Sequence, residues 1–220
     1  MTSEIHGTSI ESAESAASDP AAVDARNVQS RFAAGVIEVI EERGDVWIVV
    51  ERDTLSDVLT YLRDEQGLGY RFFSDCVAVD YLDTRSGQPL AGRQARFEVV
   101  YNVVALIGAP GSPVTSKRLF VKVRVPDDDP VVPSVTSVYP GAAFPEREIF
   151  DLMGIRFVGH PDLRRLLMPD DWIGHPLRKD YPLGGERVEF PNGTLGPSVG
   201  ERVVQHPGEG FFGRTADEIE

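Results

Sequence analysis

Between residues 146 and 183 the chain reads EREIFDLMGIRFVGHPDLRRLLMPDDWIGHPLRKDYPL, its densest run of side chains able to bind metals or move protons. Three carboxylates open the run. On a helix Glu148 and Asp151, at i and i+3, share a face, and Arg147 reaches Asp151 at i+4. Glu146 and Glu148 diverge, because two steps of a helix with 3.6 residues per turn rotate by about 200°. A carboxylate-bridged metal centre also needs a Glu-x-x-His pattern on companion helices, and no such pattern occurs. His160 and His175 stand in matching Gly-His-Pro turns 15 residues apart, without a cysteine or third histidine nearby. That spacing fits no closed zinc site; such a histidine reads as orienting its loop by local hydrogen bonds. The carboxylates are therefore expected in an ion network on the helix surface or in an interface contact. Ile149, Leu152 and Met153 mark the core face of the same helix.

Beyond Gly154 the spacing changes. Arg164, Arg165, Arg178, Lys179 and Arg187 make this the most basic stretch of an acidic chain, interleaved with Asp162, Asp170, Asp171 and Asp180. Leu166, Leu167, Met168, Trp172, Leu177 and Tyr181 punctuate the charges. A solvated loop accounts for the charge alone. Apolar anchors within a polar rim point further, to a surface gripped by another protein, with arginine forks pairing to partner carboxylates. No G-x-S-x-G, P-loop or G-x-G-x-x-G motif occurs, and Gly108–Pro113 lacks the lysine of a phosphate cradle. The lone cysteine, Cys76, sits in an apolar run and reads as a buried, inert thiol.

Composition narrows the classes. The 220 residues suit one domain with tails, 41% apolar content can build a core, and a net charge of −13 argues against nucleic acid as a partner. No apolar run approaches the roughly 18 to 20 residues of a membrane helix. The first residues lack a basic n-region and an apolar core, so they are not a secretory signal. Residues 1–25, without Lys or Arg, read as a disordered acidic tail, with folding expected to begin near Val28 to Gly35.

The elements that would position the charged run follow. Val36–Glu42 and Asp45–Glu51 read as a hairpin turning at Gly44. Thr54 caps a helix whose Leu55, Val58, Leu59 and Leu62 form one stripe. Strands are expected over 70–82, 96–107 and 117–125. The last alternates Leu119, Val121, Val123 and Val125 against Arg118, Phe120, Lys122 and Arg124, the pattern of an antiparallel sheet with one face solvated. A second helix is expected from about Phe144 to Met153, with Pro145 in its first turn and Gly154 as its stop. These elements predict an α+β fold, mainly antiparallel sheet with helices on one face. Residues 26–155 form the domain, and 156–220 an extended arm and tail that acquires order by lying on a partner.

One family combines these features. Glu146-Arg147-Glu148, Asp151, Gly154-Ile155, Phe157, Gly159-His160-Pro161, Leu163, Arg165 and Leu167, then Gly174 through Pro182, the tract Gly-His175-Pro176-Leu177-Arg178-Lys179-Asp180-Tyr181-Pro, resemble the 30-kilodalton subunit of respiratory complex I. In bacteria this is the C subunit of NADH-quinone oxidoreductase. The resemblance spans roughly residues 35–190, and Pro145 stands where an aromatic is more usual. It implies a peripheral, non-catalytic subunit on the cytoplasmic side of the cell membrane, touching the membrane only through its complex. The implied neighbours are the 49-kilodalton-type subunit and the iron–sulfur subunits. FMN, iron–sulfur clusters, NADH and quinone belong to the complex, none to this chain. Two rivals remain: the equivalent subunit of a membrane-bound hydrogenase-type complex, and a free-standing metal-dependent enzyme using Glu148, Asp151, His160 and His175.

Overall fold

In the computed structural model, which describes residues 19–108 and 114–182, the chain starts earlier than its composition suggests. Helix α1 spans Pro20–Arg31, with Pro20 in its first turn and the Asp19 carboxylate accepting the Ala21 amide at 2.9 Å. Ala21, Ala22, Ala25 and Val28 are buried in the main core. The acidic tail expected through residue 25 therefore stops short of Pro20; residues 1–18 lie outside the described residues. The reason is chemical. Asp24, counted among the solvating acids, is buried, and accepts hydrogen bonds from the Tyr70 hydroxyl at 2.9 Å and the Lys117 ammonium. Two donors from distant elements replace its lost water.

Strands β1 (Val36–Glu42) and β2 (Asp45–Val50) form the expected hairpin. Its two-residue turn places Arg43 and Gly44 at φ 55° and 83°, the left-handed pair that matches strand twist. Helix α2 (Leu55–Asp64) buries Leu55, Val58, Leu59 and Leu62. Next come β3 (Phe72–Asp80), the short pair β4 (Leu82–Asp83) and β5 (Gln88–Pro89), then β6 (Phe97–Ile107) and β7 (Thr115–Val125). The main sheet has the order β1-β2-β7-β6-β3. Every pairing in it is antiparallel except β2 with β7, which run parallel from Trp47↔Phe120 to Val50↔Val123. The alternation in β7 reports that one face is buried; it carries no information about the direction of the neighbouring strand.

All three helices meet the face carrying Ile48, Val99, Tyr101, Val103, Leu119, Val121 and Val123. Cys76 is buried there as well, and burial pushes its thiol up, away from the reactive thiolate. The opposite face is half-buried rather than open. Trp47 stacks on Phe120 at 4.1 Å, Lys122 lies 4.0 Å over the Trp47 ring, and Glu98 receives Lys122 and Arg93. These long side chains lie across the strands and shield Val49 and Val100.

The sheet region does not end at Val125. β8 (Val131–Pro133) pairs in parallel with β9 (Arg156–Val158), and between them lies α3 (Ala143–Met153). Ile155 and Phe157 are buried in the main core, so the segment expected to start a coreless arm at residue 156 is packed at its root.

The fold generates a first prediction. Asp24→Ala strands Tyr70 and Lys117, and is expected to lower unfolding stability by about 2–4 kcal/mol. Asp19→Ala, which removes only an exposed cap, is expected to cost about 1 kcal/mol. Chemical denaturation of both variants measures the difference.

Candidate functional site

The run from residue 146 to 182 is held together by the C-terminal end of α3. The last carbonyls of a helix have no partner within it. Here the chain that follows supplies them. Gly154 ends the helix at φ 70° with its amide on the Phe150 carbonyl at 3.0 Å. The Asp151 carbonyl accepts from His175 Nδ1 at 2.9 Å, the Leu152 carbonyl from the Leu177 amide at 2.9 Å, and the Met153 carbonyl from Arg178 Nε at 2.6 Å. His175, Leu177 and Arg178 thus form a cap in sequence order. Arg178 also brings a cation to the negative end of the helix dipole. A methyl group at Gly154 would lie 2.5 Å from the His175 ring and 2.9 Å from Arg178, so the cap needs glycine for space as well as for its backbone angle.

The Asp151 side chain anchors a second loop. Expected on the helix surface beside Arg147, it is fully buried. Its Oδ2 accepts three consecutive backbone amides, Leu166 at 2.9 Å, Leu167 at 2.7 Å and Met168 at 2.8 Å, and its Oδ1 accepts Arg165 Nη1 at 2.7 Å. Consecutive amides facing one oxygen form an anion nest, filled here by the chain's own carboxylate. Burial favours the neutral acid, but the amides and the Arg165 guanidinium outweigh it and hold the Asp151 pKa down at about 2. Arg165 continues to the carbonyls of Trp172 at 2.9 Å and Gly174 at 3.2 Å. Arg147 turns to the carbonyls of Arg164 at 3.1 Å and Arg165 at 3.0 Å.

Glu146, also expected to be a surface residue, is completely buried on the other side of α3. Its Oε1 accepts the Val135 amide at 2.8 Å, and Oε2 lies 2.6 Å from Ser134 Oγ. No cation touches it. Burial accordingly pushes its pKa up, against the pull of those two hydrogen bonds. Glu148 is exposed. His160 accepts the Asp162 amide on Nδ1 at 3.0 Å, which leaves Nε2–H to donate to the Ala143 carbonyl at 3.0 Å. Both histidines orient loops, as their turns suggested. Among the described residues no three His, Cys, Asp or Glu side chains converge as a metal site would require, and Glu148, Asp151, His160 and His175 do not meet. Pro161 and Lys179 are exposed; Pro176 and Tyr181 are half-buried, with the Tyr181 ring against Gly174.

A final anchor was not visible in the sequence. The Lys179 amide donates to Asp80 Oδ2 at 2.9 Å, and Asp180 accepts Arg96 Nη2 at 2.7 Å. Arg96 is buried and also pairs with Asp80 at 3.0 Å and Asp127 at 3.0 Å. Arg96 and Arg178 both lie over the Phe97 ring, at 4.7 and 5.2 Å. These partners come from the ends of three strands and from the arm. No local pattern relates residues 80, 96, 127 and 180, and only the sheet register brings them together.

Residues 48–187 match the model of a family described as the respiratory-chain NADH dehydrogenase, 30 Kd subunit. The chain belongs to that family. The matched residues include α2, α3 and the whole capping tract; α1 and β1 precede them. A member of the 30 Kd family from Roseiflexus sp. (strain RS-1), an NADH-quinone oxidoreductase C subunit, is 42% identical over 173 residues, covering 77% of this chain and 90% of that protein. NADH-quinone oxidoreductase subunit 5 of Thermus thermophilus is 42% identical over 150 residues, 68% of each chain. Among solved structures, the trypsin-resistant fragment of Nqo5 is 36% identical with a TM-score of 0.50, covering 63% of this chain and 97% of the fragment. A membrane-bound sulfane sulfur reductase structure, 21% identical with a TM-score of 0.56, covers 73% of this chain and 85% of the matched one and shares the fold alone.

The two buried carboxyls of α3 give a paired prediction. Asp151→Asn removes the charge that four donors face, and is expected to destabilise by about 2–4 kcal/mol. Glu146→Gln keeps an acceptor for Val135 and a donor for Ser134, and is expected to cost less than about 1 kcal/mol. The pH dependence has opposite signs. The Asp151 pKa is depressed from its ordinary 3.8 to about 2, so its stabilisation is fully present above pH 4 and is lost as pH falls through about 2. That contribution is about 2 kcal/mol, and Asp151→Asn should flatten the acid limb. The Glu146 pKa is raised, so its contribution favours folding at low pH and is lost as pH rises through the elevated value. Urea unfolding between pH 2 and 7 checks both.

Proposed function

We propose that this chain serves as the C subunit of an NADH-quinone oxidoreductase, a structural member of the peripheral arm that carries out no bond-making step itself. Its implied place is on the cytoplasmic side of the cell membrane, against the 49-kilodalton-type subunit and the neighbouring iron–sulfur subunits. Flavin, iron–sulfur clusters and quinone would be held by those chains. No helix among the described residues is long and apolar enough to cross a membrane, which fits a peripheral place.

The observation that carries the reading is the division of labour in the arm. The arginines expected to grip a partner, Arg147, Arg165 and Arg178, spend their donors on the chain's own carbonyls and carboxylates. The aliphatic side chains point out: Ile173 is 83% exposed and Leu177 56%, with Phe144, Val158 and Leu167 also exposed. Rigid internal tethering of a loop that displays apolar side chains lowers the entropy lost on docking. Contact with the partner is therefore assigned to those apolar residues, with Glu148 and Lys179 at the rim. Trp172 Nε1 and Tyr181 Oη, beside them, have no partner within the chain.

Affinity purification of the tagged chain from mildly solubilised membranes, followed by mass spectrometry, tests this reading. Recovery of flavin-binding, iron–sulfur and membrane subunits is expected. Hydrogenase-type subunits in their place would favour the second reading, and recovery of the chain alone would defeat both. Ile173→Asp with Leu177→Asp should reduce co-purification by at least about tenfold while the chain stays folded. Arg178→Glu, by contrast, should loosen the arm itself.

A further inference from the structure

We propose a second docking site at the opposite end of the main sheet. There, a notch in the β3 edge accepts an extended segment of a neighbouring subunit, aliphatic and flanked by a carboxylate. The inference rests on the subunit reading above.

The notch arises from unequal strand pairing. β6 stays paired with β7 as far as Ile107↔Thr115, but its pairing with β3 ends at Phe72↔Val104. Residues 105–107 thus keep one backbone edge without a strand partner among the described residues. The chain leading into β3 bends away, with Gly69 at φ 67° and the Arg71 amide turned back onto the Gly69 carbonyl at 2.8 Å. The space left between the two segments is about 580 Å³. Phe72 and Leu106 lie on the same sheet face by register, and Leu106 is 63% exposed. Gly67, Gly69 and Gly108 line the cleft, where a backbone can approach closely. The exposed Arg71 stands at the rim.

Each feature specifies part of the occupant. An open strand edge is completed by an extended peptide through main-chain hydrogen bonds. Phe72 and Leu106 select aliphatic side chains, and Arg71 selects a carboxylate beside them. Size decides where that peptide comes from. Three residues of open edge fall far short of the ~1,000 Å² that holds a freely diffusing partner. A segment already held by the rest of an assembly has an effective concentration in the millimolar range, and a small notch then suffices. Eight residue steps of β3 separate Phe72 from Asp80, where the arm is fastened, about 26 Å along the strand. The site is therefore distinct from the surface of α3 and the arm.

Photo-crosslinking of the assembled complex tests the proposal. A benzophenone side chain is placed at position 72 or 106 of the full chain, the complex is isolated from mildly solubilised membranes, and the cross-linked peptides are sequenced by mass spectrometry. A peptide from a different subunit, with aliphatic residues next to Asp or Glu, is expected at both positions. Arg71→Glu should reduce its yield at least tenfold while the complex still assembles. Cross-links only to this chain's own terminal residues or to a second copy overturn the proposal, as does an intact complex without a cross-link to another subunit. If no other subunit is recovered at all, the subunit reading fails with it.

Discussion

The region from residue 146 to 182 depends on one buried carboxylate. Asp151 sits at the end of α3 with no exposed surface, where an unpaired charge would be intolerable, yet it keeps its charge because four donors converge on it. Three of the four are consecutive amides of a loop with no helix or strand of its own. The carboxylate therefore does for that loop what a regular ladder does for a strand: it satisfies the backbone and fixes its path. Arg165, drawn in by the same charge, carries the constraint on to Trp172 and Gly174.

Once that loop is fixed, the following tract falls against the open end of α3, and the orphan carbonyls of the helix meet His175, Leu177 and Arg178 in turn. The last tether is the buried Arg96, which joins Asp180 to the sheet through Asp80 and Asp127. A segment without a core of its own is ordered by polar contacts to one helix end and one sheet end. Its charges are used internally, and its aliphatic side chains are left for solvent or a partner. That division suits a subunit whose task is to present a shaped surface.

Glu146 and Asp151, five residues apart on one helix, show that burial alone does not set the state of a carboxyl. Asp151 has a guanidinium and three amides, Glu146 one amide and one hydroxyl. The first is driven down and the second up. Two acids that look alike in the sequence therefore fasten their surroundings by different physics, one as an anion and one through neutral-type hydrogen bonding to Ser134 and Val135.

Much of this was legible from residue order. The stripe of Leu55, Val58, Leu59 and Leu62, the turn at Gly44, the alternation of β7, the stop at Gly154 and the family tract are all local patterns, set by periodicities of 3.6 and 2 and by left-handed backbone angles that favour glycine. Helix α1 was missed because alanines bury well without forming a strong apolar stripe, and because the partners that excuse Asp24 lie 46 and 93 residues away. The parallel pairing of β2 with β7, the closing of β8 on β9 and the cluster at Arg96 depend on which strands become neighbours, and composition does not encode that. By itself the sequence determined the family, the elements and the residues that matter; whether those residues face a partner or their own chain was decided only by tertiary structure, because the direction of a charged side chain is set by the donors and acceptors that folding brings within reach.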